Sequence, residues 1–159
     1  AAVAGGFRSF RVFPPLERWK DQFTTVLTRY RPLLIRGRST LGKTELAKSL
    51  VGATPLVVTV EDAVDACLVE FDRTLHTGVV FDNVNNPTAF VMRNRKVLQS
   101  SVDPVTLGQS PCQQHVYHVF LHRIPLVLTC DVDTEWDPTG SDWIATNVVS
   151  FTLTRRAFE

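Results

Sequence analysis

The sequence predicts an α/β fold in which a parallel sheet carries helices on both faces. Two observations lead to this prediction. Short runs of branched apolar residues, suited to buried strands, alternate with segments whose apolar residues recur every three or four positions, as in helices. Polar or turn-forming residues directly follow several of these runs. Because parallel strands need crossover connections, ligands are expected beyond the carboxyl ends of the strands.

Five apolar runs are predicted to form the sheet, since each is short and rich in Val, Leu or Ile. Between Val105 and His122, two further strand-like arms flank the turn sequence Gly108-Gln109-Ser110-Pro111, which predicts a β-hairpin. The five runs are residues 32–36, 56–60, 78–81, 125–130 and 147–153.

Helical periodicity fills the intervals between the strands. Pro14-Pro15 is a helix-start signal before the first periodic segment. The patch from Trp136 to Trp143 is instead rich in turn residues. The predicted helices are the segments 16–30, 44–50, 64–75 and 92–98.

The composition is that of one globular domain. With 159 residues and 44% hydrophobic content, the chain can bury one core but has no room for two ordinary domains. We expect a flexible segment over residues 1–15 and one domain over residues 16–159. Seventeen Lys and Arg against sixteen Asp and Glu give a net charge of +1, so contact with nucleic acid would require a local basic patch.

The cysteines and the apolar runs bear on location. Cys67, Cys112 and Cys130 are scattered and odd in number, which favours reduced thiols in an intracellular compartment over a disulfide framework. The apolar runs are too short to span a bilayer, so no membrane association is expected.

One motif indicates phosphate binding. Residues 37–44 match G-x-x-x-x-G-K-[ST] and lie between a strand-like and a helix-like segment. Glycines let the backbone curl so that its amides face phosphate oxygens, while the lysine reaches the β- and γ-phosphates and the threonine hydroxyl joins the ligands of Mg²⁺. The expected nucleotide-binding residues are Gly37, Arg38, Ser39, Thr40, Leu41, Gly42, Lys43 and Thr44.

A carboxylate follows the third strand. Asp82 comes directly after Val79-Val80-Phe81, where an enzyme with this type of loop needs an acidic group to hold Mg²⁺ directly or through water. An aspartate at a strand end is also common as a helix cap. We assign Thr44 and Asp82 to the metal.

Three segments together resemble a known family. Leu33 to Leu50, Gly78 to Val84 and Pro125 to Asp133 resemble the Walker A, Walker B and motif C segments of superfamily 3 helicases, in the version found in replication-initiator (Rep) proteins of small circular single-stranded DNA viruses and their plasmid or host-integrated relatives. The resemblance implies a P-loop NTPase of the AAA+-like (ASCE) type that uses ATP and Mg²⁺ in DNA replication. It also implies a homo-oligomeric ring that moves on or unwinds DNA, with single-stranded DNA as partner and the nucleus as one candidate compartment.

Two positions depart from the family pattern. Asn83 stands where a second acidic residue usually polarises water, and Thr129-Cys130-Asp131 stands where motif C usually ends in Asn. Two explanations account for these departures. Either the two polar functions are exchanged between the neighbouring strands, which predicts an active ATPase, or the domain binds ATP without efficient turnover and acts through protein contacts. We assign Asn83, Thr129 and Asp131 to catalysis or γ-phosphate sensing. A small-molecule kinase ranks third, because no arginine-bearing lid or acceptor pocket is identified.

The resemblance also suggests roles for basic residues. Family members act on the neighbouring subunit's nucleotide through an arginine, for which Arg155 and Arg156 are candidates and Arg123 is a weaker one. A solvated basic chain end explains the first two equally well. The hairpin between Val105 and Arg123 is the counterpart of the family's DNA-facing hairpin. A basic cluster precedes this hairpin and consists of Arg93, Arg95 and Lys96. We expect it to contact DNA, and simple surface exposure explains it equally well.

Cys112, His115, His118 and His122 have the residue types of a zinc site. On a strand, His118 and His122 share a face but lie roughly 13 Å apart, and His115 faces the other way. These residues therefore cannot close one tetrahedral shell, and Val116, Tyr117, Val119 and Phe120 favour a strand over a helix. We expect no metal there.

Overall fold

The computed structural model describes residues 10–60, 65–108, 116–139 and 141–158. Its strands are β1 (Leu33–Arg36), β2 (Pro55–Thr59), β3 (Gly78–Asp82), β4 (Val105–Gly108), β5 (Val116–Val119), β6 (Leu126–Cys130) and β7 (Val149–Thr152). Its α-helices are α1 (Pro14–Asp21), α2 (Lys43–Leu50), α3 (Pro87–Arg93), α4 (Arg95–Leu98) and α5 (Asp142–Asn147).

Five strands form one parallel sheet in the order β2-β3-β6-β1-β7. The register places Leu33 of β1 opposite Val127 of β6 on one side and opposite Val149 of β7 on the other. β3 pairs with β6 and with the edge strand β2. The predicted α/β class, a parallel sheet flanked by helices, is confirmed.

The sheet separates two apolar cores, because successive side chains of a strand point to opposite faces. Leu34, Phe81 and Leu128 face the core that also contains residues of α3, α4, α5 and the hairpin. Leu33 and Val127 face the core formed with α1 and α2. The helices therefore cover both faces.

The first predicted helix is too long. α1 begins at Pro14 and ends at Asp21, a short 3-10 turn covers Gln22–Thr24, and the chain then runs as an irregular segment to β1. Val26 and Leu27 are exposed, so their spacing does not mark a buried helix face. The Tyr30 hydroxyl donates to the Thr25 carbonyl and accepts from the Leu27 N–H, which stabilises a loop in place of helix.

The helix predicted over residues 64–75 is also wrong within the described part, where residues 65–77 form turns. Asp72 accepts hydrogen bonds from the side chain and the backbone N–H of Thr74, and these bonds lower the pKa of Asp72 below its ordinary value. Such local bonds compete with the helical pattern. Leu68 is buried while Leu75 is exposed, so the apolar residues do not share one face.

Three other segments differ in detail from the prediction. The predicted helix around residues 92–98 is two helices, α3 and α4, separated at Asn94. The turn-rich patch before Trp143 leads directly into α5, a helix that the sequence patterns did not indicate. Residues 10–13, expected to be flexible, pack against the chain end: Phe13 is buried and Phe10 forms an antiparallel bridge with Phe158.

The predicted hairpin is confirmed, since β4 and β5 pair antiparallel with Val105 opposite Val119. Thr106 Oγ1 and His118 Nδ1 share a hydrogen bond of 2.9 Å across the two strands. The hairpin tip, together with Cys112 and His115 of the histidine-rich segment, lies outside the described residues. Among the helices of the described ranges, none has the length and apolar character needed to cross a membrane.

Candidate functional site

The strand order brings the predicted site residues together. β6 lies between β1 and β3, so the loop after β1, the turn after β6 and Asp82 at the end of β3 meet at one edge of the sheet. The edge is formed by the carboxyl ends of these parallel strands, where ligands bind in open α/β sheets. The backbone N–H of Gly37 donates to the Cys130 carbonyl at 3.2 Å, which joins the loop to β6.

The loop between β1 and α2 has a tight, glycine-dependent backbone. Ser39–Leu41 form one 3-10 turn, and Gly42 then adopts φ +87°, ψ +29° as the N-cap of α2. This left-handed conformation favours glycine, and a Cβ at Gly42 would lie 2.9 Å from the Phe158 ring. The curled backbone leads directly into the N-terminus of α2, a helix of eight residues whose amide groups favour anions.

Lys43 is the first residue of α2, and its ammonium group folds back over the loop. Its Nζ donates to the carbonyl oxygen of Gly37 at 2.6 Å, so the charge lies beside the first residue of the motif. The side chain is half-buried. An ammonium held by a single carbonyl keeps two further N–H groups for an anionic ligand.

Two threonine hydroxyls converge on one carboxylate oxygen. Thr44 Oγ1 of α2 and Thr129 Oγ1 of β6 each donate to Asp82 Oδ1 at 2.7 Å. Thr129 is buried, and its hydroxyl also accepts the backbone N–H of Asn83 at 3.0 Å. The Thr129 hydroxyl therefore fixes the end of β3 through its hydrogen bonds to Asp82 and Asn83. Sequence patterns do not indicate this structural role.

The two positions that depart from the family pattern each have a local structural role. Asn83 has φ +60°, a left-handed conformation in which Asn is enriched among non-glycine residues, and its side chain is exposed. Asp131 begins a turn: its carbonyl accepts the Thr134 hydroxyl at 2.6 Å, and its Oδ1 accepts the Asp133 N–H at 3.4 Å. Asp131 thus stabilises its own turn.

Arg36, at the end of β1, supports the same turn. Its Nη2 donates to the carbonyls of Val132 at 3.0 Å and Thr134 at 3.4 Å, while its buried Nε has no hydrogen-bond partner. Cys130 is also buried there. Burial raises the pKa of the Cys130 thiol, against the opposing effects of a Thr134 hydrogen bond and the charges of Arg36 and Lys43. Sequence patterns did not single out Arg36, because its partners lie almost a hundred positions away.

The segment after β7 passes beside the loop between β1 and α2. The Ala157 N–H donates to the Leu41 carbonyl at 2.9 Å, and the Phe158 ring packs against Gly42 and stacks on Phe10 with centroids 4.8 Å apart. Arg155 and Arg156 belong to this segment and are exposed. The two candidate arginines thus lie near the loop of their own chain.

The remaining basic candidates lie elsewhere. Arg123 precedes β6, at the amino ends of the strands and opposite the loop, where its Nε donates to the Phe23 carbonyl at 2.9 Å. The structure does not bring Arg123 to the site of its own chain. Arg93 is bound to Asp65 at 2.7 Å, whereas Arg95 and Lys96 are exposed on α4. This cluster belongs to the face covered by α3 and α4.

The site offers hard oxygen donors to a cation. Within the described ranges, no group of three or more His, Cys, Asp or Glu side chains is placed to hold a metal ion by itself. One carboxylate and one threonine hydroxyl suit Mg²⁺, which binds few protein ligands and completes its shell with water and phosphate oxygens. The donor set therefore fits Mg²⁺ bound together with a phosphate ligand.

No protein-family model matches the chain, and no curated protein matches it.

Proposed function

We propose that the chain binds ATP with Mg²⁺ at the loop after β1. The observation that carries this proposal is the convergence of the Thr44 and Thr129 hydroxyls on Asp82 Oδ1, directly beside a left-handed Gly42 and the Lys43 ammonium. Backbone amides, one cation and an oxygen donor pair are the groups that a polyphosphate with a hard divalent cation requires. We accordingly propose that the α/β fold is that of a P-loop NTPase of the AAA+-like type.

Each residue has a defined task in this proposal. The loop amides and Lys43 bind the phosphates, Thr44 and Asp82 hold the metal, and Thr129 orients Asp82. Mg²⁺ held by these residues would supply Lewis-acid chemistry by neutralising phosphate charge.

We further propose that this site drives a superfamily 3 helicase-like ATPase, which acts on single-stranded DNA in DNA replication as a homo-oligomeric ring. In such a ring, exposed Arg155 or Arg156 would neutralise charge at the neighbouring subunit's nucleotide. The three motif segments support this activity by their order along the chain and by the adjacency of β1, β6 and β3.

A nucleotide-binding module without turnover is the second candidate, and a specific observation favours it. The exposed Asn83 amide cannot act as a base, and Asp131 is engaged in its own turn. Binding of ATP would then control contacts with other proteins.

The binding proposal is tested by calorimetry with Mg·ATP. Lys43→Ala should weaken binding by about 10- to 150-fold, because hydrogen bonds to charged groups contribute roughly 1.5–3 kcal/mol. Lys48→Ala is the matched control, since it removes the same charge from the same helix, where Lys48 pairs with Glu45. Absence of any heat of association in the parent protein would end the proposal.

Turnover separates the two candidates. ATP hydrolysis by the parent, stimulated by single-stranded DNA, supports the motor. If only the Asn83→Asp variant hydrolyses ATP, the Asn83 amide is the reason that the parent does not. If neither protein hydrolyses ATP, the result supports the nucleotide-binding module without turnover. Phosphate transfer to a small acceptor in place of water would indicate a kinase.

A further inference from the structure

A groove of about 550 Å³ lies between the α3–α4 pair and the hairpin strand β4, away from the loop after β1. Its lining includes the apolar residues Met92, Leu107 and Trp143 and the basic residues Arg95 and Lys96. Its volume falls within the range of small-molecule pockets. A flat, apolar group with a negative charge beside it would match this lining.

Trp143 offers an aromatic surface to the groove. It is partly buried against the core, near the start of α5, and is one of the residues that line the groove. The other two tryptophans have structural roles: the indole N–H of Trp19 donates to the Arg31 carbonyl, and that of Trp136 donates to Ser150 Oγ. Trp143 is the tryptophan that lines this groove.

The charged residues that line the groove are mainly basic. Arg93 is offset by Asp65 at 2.7 Å, but Arg95 and Lys96 are both exposed and next to each other at the start of α4. The whole protein has a net charge of only +1, so this pair is a local feature. An anionic ligand would be attracted here by the patch and not by an overall field.

The groove has a rigid frame. Asn94, buried between α3 and α4, accepts the Ala66 N–H through Oδ1 at 2.8 Å and donates through Nδ2 to the Phe90 carbonyl at 2.7 Å. These bonds fix the break between the helices and hence the direction in which α4 presents its basic residues. A preformed site loses less conformational entropy when a ligand binds.

We propose that this groove binds single-stranded nucleic acid, with one base stacked on Trp143 and the adjoining phosphates on Arg95 and Lys96. An aromatic platform beside basic side chains is the arrangement by which proteins bind unpaired strands, whereas a duplex hides its base faces. This inference rests on the DNA-dependent part of the proposed function, and it is independent of whether the loop after β1 binds ATP.

The test is fluorescence anisotropy with labelled dT20, rU20 and a duplex, without nucleotide, at several salt concentrations. Arg95→Ala/Lys96→Ala should weaken single-strand binding and reduce the slope of log affinity against log salt by about 1.4, because each phosphate contact contributes about 0.7. Arg18→Ala/Lys20→Ala removes the same charge from α1, where both side chains are exposed, and should leave binding unchanged. Comparison of dT20 with rU20 shows whether the groove selects DNA or RNA.

A second variant tests stacking. Trp143→Leu keeps an apolar side chain in the wall but should lower single-strand affinity by about 5- to 150-fold, since stacking contributes roughly 1–3 kcal/mol per base. Binding of dT20 should quench the parent's tryptophan fluorescence, and Trp143→Leu should abolish that quench although Trp19 and Trp136 remain.

Three results would overturn the proposal: no binding of either single strand, preference for duplex, or equal losses in the groove and α1 variants. Urea unfolding transitions that match the parent's show that the groove variants fold. Lys43→Ala should weaken Mg·ATP binding while still binding dT20. These measurements therefore distinguish a lack of nucleic-acid binding in the groove from a lack of ATP binding at the loop after β1.

Discussion

Thr129 and Asp82 are joined across neighbouring strands by a hydrogen bond of 2.7 Å from the threonine hydroxyl to the carboxylate. The same hydroxyl accepts the backbone N–H of Asn83, so one buried group fixes both the side chain and the backbone at the end of β3. The position of the Asp82 carboxylate, which we propose to hold Mg²⁺, thus depends on a residue of another strand.

Replacement of Thr129 by Val should therefore affect stability and ligand binding together. Val has nearly the same shape but leaves the Asn83 N–H without its acceptor, which should lower the free energy of unfolding by about 1–3 kcal/mol. Mg·ATP affinity should fall as Asp82 loses its support. Urea unfolding and calorimetry measure the two effects, and Thr129→Ser, which keeps the hydroxyl, should retain most of both. Equal behaviour of Val and Ser would contradict this role.

Gly42→Ala should both destabilise the protein and weaken nucleotide binding. Alanine at this position must adopt a φ of +87°, which is strained for a residue with a Cβ, and its Cβ would lie 2.9 Å from the Phe158 ring. We therefore expect the free energy of unfolding to fall by about 1–2 kcal/mol. Gly52→Ala is the control: Gly52 has φ +104° and would contact Thr77, but it lies just past the C-terminus of α2, away from the loop. That variant should lose stability while keeping its affinity for Mg·ATP.

Asn83→Ala should lower the free energy of unfolding by about 1 kcal/mol, because alanine disfavours the left-handed conformation at φ +60°. Asn83→Gly should be close to the parent in urea unfolding, since glycine adopts this conformation freely. If alanine and glycine prove equally stable, the conformational reason for Asn at this position is wrong.

The buried thiol of Cys130 should make stability depend on alkaline pH. Burial raises the thiol pKa above its ordinary value of 9.0, so the folded protein keeps a proton that the unfolded chain releases. This stabilising contribution is fully present below about pH 9 and is lost as the pH rises toward the folded pKa. The free energy of unfolding should fall more steeply above pH 9 in the parent than in Cys130→Ala, measured in urea with reductant present. Parallel pH profiles would contradict the prediction.

Local sequence signals identified the sheet and the loop because those signals are strong over short distances. The runs at β1, β3 and β6 are apolar and buried on both faces, and residues 37–44 carry their own motif. Parallel strands then bring their carboxyl ends to one edge, so the proximity of Asp82 to Thr44 followed from the fold class.

The errors have physical causes that no local pattern reveals. Val26 and Leu27 have helical spacing, but the Tyr30 hydroxyl bonds the intervening backbone and produces a loop. The bonds of Thr129 to Asp82 and Asn83 depend on a strand register that the sequence does not state, while its assignment to catalysis or γ-phosphate sensing stays a prediction. Contacts between distant residues, such as Phe10 with Phe158, leave no trace in periodicity.

The position of β1 between β6 and β7 has a kinetic consequence. Leu33 pairs with Val127 and Val149, so the strand that supports the loop is completed only by partners from the last third of the chain. Contacts of such long sequence separation form slowly, because the intervening chain must first lose its freedom. During synthesis and refolding, competence to recognise a ligand should therefore arise only after the residues of β6 and β7 have emerged and paired with β1.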